Sequence, residues 1–200
     1  MKKSLALIAA IGFIIFGACA ANAAVYNYQP SPIDLYDLDH YSAYSWGIGW
    51  THTNEVITGA QLSFSKMYDW TVEANDTLWL NLLSNATAGV TAFSDNSGPS
   101  NYFQSWSGMF LGTWSDPIGG GPGTDITFTF NAAAISALNS YAADGNFGLG
   151  LDPDCHYYNR GVKLTVSTDY QPVPEPSTML LFGLSLTACG IVMMRRKRLA

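Results

Sequence analysis

Positive charge is nearly absent from the long middle of this 200-residue chain. Six of the nine Lys and Arg residues stand at the ends, as Lys2, Lys3, Arg195, Arg196, Lys197 and Arg198. Only Lys66, Arg160 and Lys163 remain between them, against fourteen Asp and Glu. A middle with a net charge of about −11 repels phosphate backbones, which excludes nucleic acid as a partner and favours divalent cations or basic surfaces. Pairable cysteine is lacking as well. Cys19 and Cys189 fall in the apolar end segments, so Cys155 stands alone in the part that folds and no intrachain disulfide can form there. The fold has to be held by packing, for which its many Trp, Tyr and Phe side chains supply large buried areas. No internal repeat is present.

The two ends are the apolar runs that the middle lacks. Met1 to Ala23 has the three parts of a secretory signal peptide: Lys2 and Lys3, an apolar stretch from Leu5 to Phe16, and a crowd of small residues. Ala21-Asn22-Ala23 places cleavage after Ala23, with Ala20 as the alternative. Phe16-Gly17-Ala18 lacks the aliphatic residue that lipid attachment at Cys19 calls for. At the other end, Val173-Pro174-Glu175-Pro176-Ser177 precedes an apolar stretch from Thr178 to Met194 and then Arg195-Arg196-Lys197-Arg198. That stretch reaches the lower limit for a membrane-spanning helix, about 17 residues. Prolines at 172, 174 and 176 keep the segment before it extended. The basic cluster stays cytoplasmic, which puts the folded part outside.

This tail resembles the PEP-CTERM sorting domain, in which a Pro-Glu-Pro motif, a hydrophobic helix and an Arg-rich end are recognised by the membrane protease exosortase. Pro174, Glu175 and Pro176 align with the family motif, and Ser177-Thr178-Met179-Leu180-Leu181-Phe182-Gly183 matches the run that often follows it. The stretch Ser185 to Gly190, with Thr187 and Cys189, departs from the usual helix. The resemblance covers about the last 27 residues and implies cleavage near the motif, after transient anchoring in the inner membrane. It further implies delivery to the surface of a Gram-negative cell that makes extracellular polysaccharide.

The part from 24 to 171 reads as all-β. Ile126-Thr127-Phe128-Thr129-Phe130 and Val162-Lys163-Leu164-Thr165-Val166 alternate strictly, as half-buried strands do. Further strands are expected at 44–50, 57–64, 77–83 and 147–151. Breakers separate them at 95–99, 119–123 and 144–146. Asn131 caps one helix running to Ala142, with Ile135 and Leu138 on one face. The expected architecture is an antiparallel β-sandwich or jelly roll with one short helix, plus a C-terminal sorting segment at 172–200 that holds a single transmembrane helix and the basic tail.

Several motifs in the middle invite chemistry and fall short of it. Ser63-Phe64-Ser65-Lys66 spells S-x-x-K, but that nucleophile needs Ser and Lys one helical turn apart, and the segment reads as strand. Gly119 to Gly123 has no following Lys and opens no helix, so it is a loop rather than a phosphate cradle. Cys155-His156 lacks an orienting partner, which leaves a structural thiol as the better reading. His40 and His52 show no zinc spacing. Asp152-Pro153-Asp154, just past a strand, aims two carboxylates into one place and suits calcium, with turn formation as the competing reading. Asp34, Asp37 and Asp39 are spaced similarly. Tyr41, Tyr44, Trp46, Trp50, Tyr102, Phe103, Trp106, Trp114, Tyr157 and Tyr158 offer rings either to sugar faces or to the core. The expectation is a non-enzymatic surface or matrix protein with a structural, adhesive or polysaccharide-contacting role; the alternative is a small polysaccharide hydrolase, although no carboxylate pair stands out for it.

Overall fold

Strict alternation needs one wet face and one dry face, and the computed structural model gives the alternating runs both. It describes residues 23–73, 76–95, 100–170 and 183. The expected signal segment before Ala23, the Pro-Glu-Pro motif, the expected transmembrane helix (Gly183 apart) and the basic tail lie outside the described residues. Among the described residues no helix is long and apolar enough to cross a membrane. The chain divides into two units, and the one from Ala20 to Tyr170 carries every element that follows.

In chain order these are β1 (Ala23–Tyr28), β2 (Ser42–Gly49), β3 (Glu55–Asp69), β4 (Leu78–Leu83), β5 (Gly89–Ser94), β6 (Gly108–Trp114), β7 (Thr124–Thr129), α1 (Ala132–Ala142), β8 (Asn146–Pro153), β9 (Tyr157–Tyr158) and β10 (Val162–Tyr170). The described residues from Ala23 to Tyr170 are therefore mostly antiparallel β, with one short α-helix among them. One sheet runs β1-β10-β3-β7, with β9 added to the far end of β3, and the other runs β5-β2-β8-β4-β6. Every strand pair is antiparallel.

In the first sheet the alternation decides the register. Leu164 of β10 and Phe128 of β7 both stand opposite Leu62 of β3. Val162, Leu164 and Val166 are fully buried, whereas Lys163, between the first two, is exposed. Inward residues of both sheets belong to one core, including Phe64 and Val162 from the first and Trp46, Leu80 and Leu149 from the second. The helix joins the sheets, since it follows β7 and precedes β8. The Asn131 side chain accepts the Ala134 N–H at 2.9 Å and caps it as expected. Its Ala134, Leu138 and Ala142 enter the core. The Asn139 amide donates to the Ile57 carbonyl at 2.8 Å and accepts its N–H at 2.9 Å, which stitches the helix to β3.

The second sheet is covered on both faces at its centre. Along β2 and β8 nearly every residue is buried, because loops lie over the outward side. Glycines make that possible. A Cβ on Gly150 would fall 2.8 Å from the Phe103 ring, so the aromatic side chain rests directly on the strand backbone. Ala43, Leu83, Ala86 and Phe103 form a second, smaller core there.

Candidate functional site: an aromatic groove above buried carboxylates

Leu78, Leu80 and Leu82 of β4 point inward, so the residues between them, Trp79 and Asn81, face outward. Opposite them the chain enters a short 3-10 turn, Tyr102–Ser105, capped by Asn101, whose Oδ1 accepts the Phe103 N–H at 3.0 Å. The Asn81 and Asn101 amides bond each other reciprocally, both at 2.9 Å. This pairing fixes the loop over the sheet and leaves a groove of about 430 Å³, lined among others by Trp79, Asn81, Asn101, Trp106, Met109 and Phe110. Trp79 and Phe110 lie 5.9 Å apart, centroid to centroid, with planes tilted by 47°. Phe110 is 51 % exposed and Trp106 38 %. No carboxylate lines the groove among the described residues.

Carboxylates lie just beneath it. Asp152 is wholly buried on β8, opposite Trp79. Its Oδ2 accepts the Tyr102 N–H at 2.6 Å, and its Oδ1 has no hydrogen-bond partner. Asp154 Oδ2 accepts the Trp79 indole N–H at 2.9 Å and leaves its own Oδ1 buried and unpartnered. Sequence reasoning found these two and missed the third, Asp95, which comes within hydrogen-bonding reach of Asp152 from the end of β5. Burial first, then the Asp95 and Asp154 charges, push the Asp152 carboxyl up to about 7, against the Tyr102 N–H that lowers it. Burial likewise pushes Asp154 up to about 6.

Because the folded state holds a proton on Asp152 that the unfolded chain releases near pH 4, its stabilising contribution is present in acid and is lost as pH rises through about 7. Asp154, with its smaller rise, acts in the same direction. Thermal melts in chelator should therefore rise from pH 8 to about pH 5, opposite to the usual acid trend. Asp152→Asn keeps an oxygen for the Tyr102 N–H and should remove the part of that rise between pH 8 and pH 6. A melting temperature that falls steadily on acidification would contradict this.

Two other groups could hold a metal ion. One is Asp69, Asp76 and Cys155, all buried, with ligand atoms within 4.8 Å of one another. The other is Asp39, His40 and His156, half-buried and equally close. Spacing could not reveal the second, because His156 arrives from the loop after β8. His52 instead stacks on Tyr26 with centroids 3.7 Å apart. Cys155 is 1 % exposed, and burial followed by the neighbouring Asp69 pushes its thiol up, so it is held protonated rather than ready for attack.

The remaining sequence expectations separate cleanly. Ser63 and Lys66 lie on β3, not on a helix: Ser63 Oγ is 3.2 Å from Thr127 Oγ1, and Lys66 Nζ is 3.5 Å from Asp125. Tyr44, Trp46, Trp50 and Tyr157 are core residues, whereas Tyr41 is exposed. Trp79 and Phe110 were not singled out from sequence. The signal was available for Trp79, since Leu78-Trp79-Leu80-Asn81-Leu82 sets it outward against an inward leucine row.

Comparison with known proteins assigns the tail. The family model for the PEP-CTERM protein-sorting motif matches residues 172–198, which contain Pro174, Glu175, Pro176 and the basic cluster Arg195, Arg196, Lys197 and Arg198. The motif marks an exported protein that is processed by exosortase, with transient membrane anchoring through its C-terminus. No curated protein matches the chain. A solved structure titled for tomato aspermy virus is similar at 11 % identity, covering 88 % of this chain and 98 % of that one with a TM-score of 0.31, a likeness too loose to argue from.

Proposed function

We propose that the domain is a non-enzymatic, polysaccharide-contacting module of the cell surface. In this reading Met1 to Ala23 directs it through the Sec route with cleavage after Ala23, and the tail hands it to exosortase. The two sheets act as a β-sandwich scaffold. The observation that carries the reading is the groove, where exposed Phe110 and Trp106 and half-buried Trp79 stand beside the Asn81–Asn101 amide pair. Flat rings stack on the C–H faces of pyranoses, and amides meet their hydroxyls. The acidic character of the domain selects neutral or cationic sugars over uronates.

A hydrolase would need two carboxylates facing each other across an open cleft, about 5 to 9.5 Å apart. Asp152 and Asp154 lie under the groove instead, with one oxygen of each engaged by Tyr102 or Trp79.

Affinity electrophoresis of the purified protein against neutral exopolysaccharides and β-glucans tests the proposal. Retardation by at least one such polymer is expected. Phe110→Ala should weaken it about tenfold, the value of one lost ring stack of roughly 1.4 kcal/mol, without moving the melting temperature. No retardation by any polymer, or retardation indifferent to Phe110→Ala and Trp106→Ala alike, would remove sugar contact from this face.

A further inference from the structure

The end of the molecule beyond the groove holds carboxylates with no described counterion. Asp69 closes β3 and is wholly buried. Its Oδ1 accepts the Cys155 thiol at 2.9 Å and the Thr71 N–H at 3.3 Å, whereas its Oδ2 is buried with no hydrogen-bond partner. Asp76, 9 % exposed, accepts the Tyr157 hydroxyl at 2.6 Å. Glu73 brings Oε2 to 3.6 Å from the Cys155 sulfur. Asp116 reaches in from the β6–β7 loop, where its Oδ2 accepts the Asp69 N–H at 3.2 Å. The ion pairs among the described residues engage Asp39, Glu55 and Asp125 and none of these four.

We propose that Asp69, Asp76 and Asp116 seat a calcium ion that fastens the β3–β4, β6–β7 and β8–β9 loops at this end of the domain. Adjacent buried carboxylates are costly without an opposite charge, and the buried Asp69 Oδ2 has no hydrogen-bond partner while the carboxyl of Asp76 lies within hydrogen-bonding reach of Asp69. The neutral groups around the seat are already spent in the way outer partners of metal ligands are. The Cys155 thiol donates to Asp69 and the Tyr157 hydroxyl to Asp76, and each fixes the orientation of one carboxylate. Sulfur thus serves as a donor to a ligand and not as a ligand, and the remaining atoms are oxygens, which suit calcium over zinc. An exported protein meets calcium at the concentrations that sites of 10⁻⁴ to 10⁻³ M require, roughly. The sequence placed its calcium at Asp152 and Asp154; the site proposed here uses neither, and only its outer partners Cys155 and Tyr157 come from the chain just past them.

The full chain, purified in detergent and stripped with chelator, is titrated with calcium by calorimetry and melted with and without it. One calcium per chain and a melting temperature several degrees higher in millimolar calcium are expected. Asp76→Asn should cut the affinity at least tenfold, and in chelator it should melt no lower than the unaltered chain, since the substitution removes a repelling charge. Asp116→Asn, on a half-buried loop position, should give the same loss and covers the case in which Asp76→Asn does not fold. Asp154→Asn and Cys155→Ser should each leave the affinity within about threefold. Absence of calcium binding would overturn the proposal. So would a response abolished by Asp154→Asn, which moves the ion to Asp152 and Asp154, or zinc bound more tightly than calcium and lost in Cys155→Ser. None of these outcomes depends on whether the groove binds sugar.

Discussion

Replacing Pro174, Glu175 and Pro176 together by alanine is expected to leave the chain uncleaved in the inner membrane, with its surface fraction falling from nearly all to nearly none. The last described strand, β10, ends at Tyr170, and the matched segment opens at residue 172. Every described strand ends before the motif, and the triple variant is expected to melt with the unaltered chain. What it loses is recognition. An extended Pro-Glu-Pro segment has little conformational freedom to surrender when a protease groove orders it, because proline fixes φ and restricts the residue before it. Alanine restores that freedom and deletes the one charge of the motif. Intact-mass measurement of surface and membrane fractions checks both halves. The unaltered surface form should lack Met1 to Ala23 and the Arg195 to Arg198 cluster, and the variant should retain that cluster. A surface form that still carries Arg195 to Arg198 would make the tail a plain anchor, and a triple variant processed as before would put recognition elsewhere in residues 172–198.

The parts of the fold that announce themselves in the sequence are those with one wet and one dry face. β7 and β10 alternate because their outward residues meet solvent. β2, β4 and β8 read as strands through their apolar rows, but their outward faces give no hint that loops cover them, because the covering residues come from 84–88 and 100–107. β1, β5 and β6 escape for local reasons. β1 begins at the expected cleavage site, and β5 and β6, at the two edges of their sheet, mix glycine and small residues with rings. The candidate sites divide in the same way. Asp152 and Asp154 stand out because one strand end carries both. Asp95, and the meeting of Asp69, Asp76 and Asp116, depend on tertiary return of distant loops, for which spacing carries no signal. Cys155 and His156 looked like one site and belong to two: the thiol faces Asp69, while His156 faces Asp39 and His40.

Gly47→Ala is expected to be the most damaging single methyl that can be added to this domain. Gly47 lies mid-strand in β2, opposite Gly89 of β5, with the 84–88 turn running over its outward face and Ala88 bridging to it. A Cβ there would come within 2.7 Å of the Ala86 carbonyl oxygen and closer still to that of Thr87, and both obstacles are backbone. The turn cannot retreat. The Asn146 amide donates to the Ala86 carbonyl and accepts its N–H, both at 2.9 Å, and Ala86 is itself pressed against Gly148, where a Cβ would fall 2.5 Å from its methyl. Relief requires breaking the Asn146 clamp or shifting β2 in its sheet, and either exposes the smaller core of Ala43, Leu83 and Phe103. Overpacking of this kind costs about 3 kcal/mol or more, a large share of the roughly 5 to 15 kcal/mol that holds a domain folded. At about 2 to 4 °C per kcal/mol for a domain of this size, the melting temperature should fall by about 6 to 12 °C. Gly49→Ala supplies the control two residues along the same strand: no atom lies within 4 Å of its added methyl, and its stability should change by less than about 0.5 kcal/mol. Equal melting temperatures for the two variants would mean that the 84–88 turn does not lie on β2 in solution, and the double-sided burial of the second sheet would fall with it.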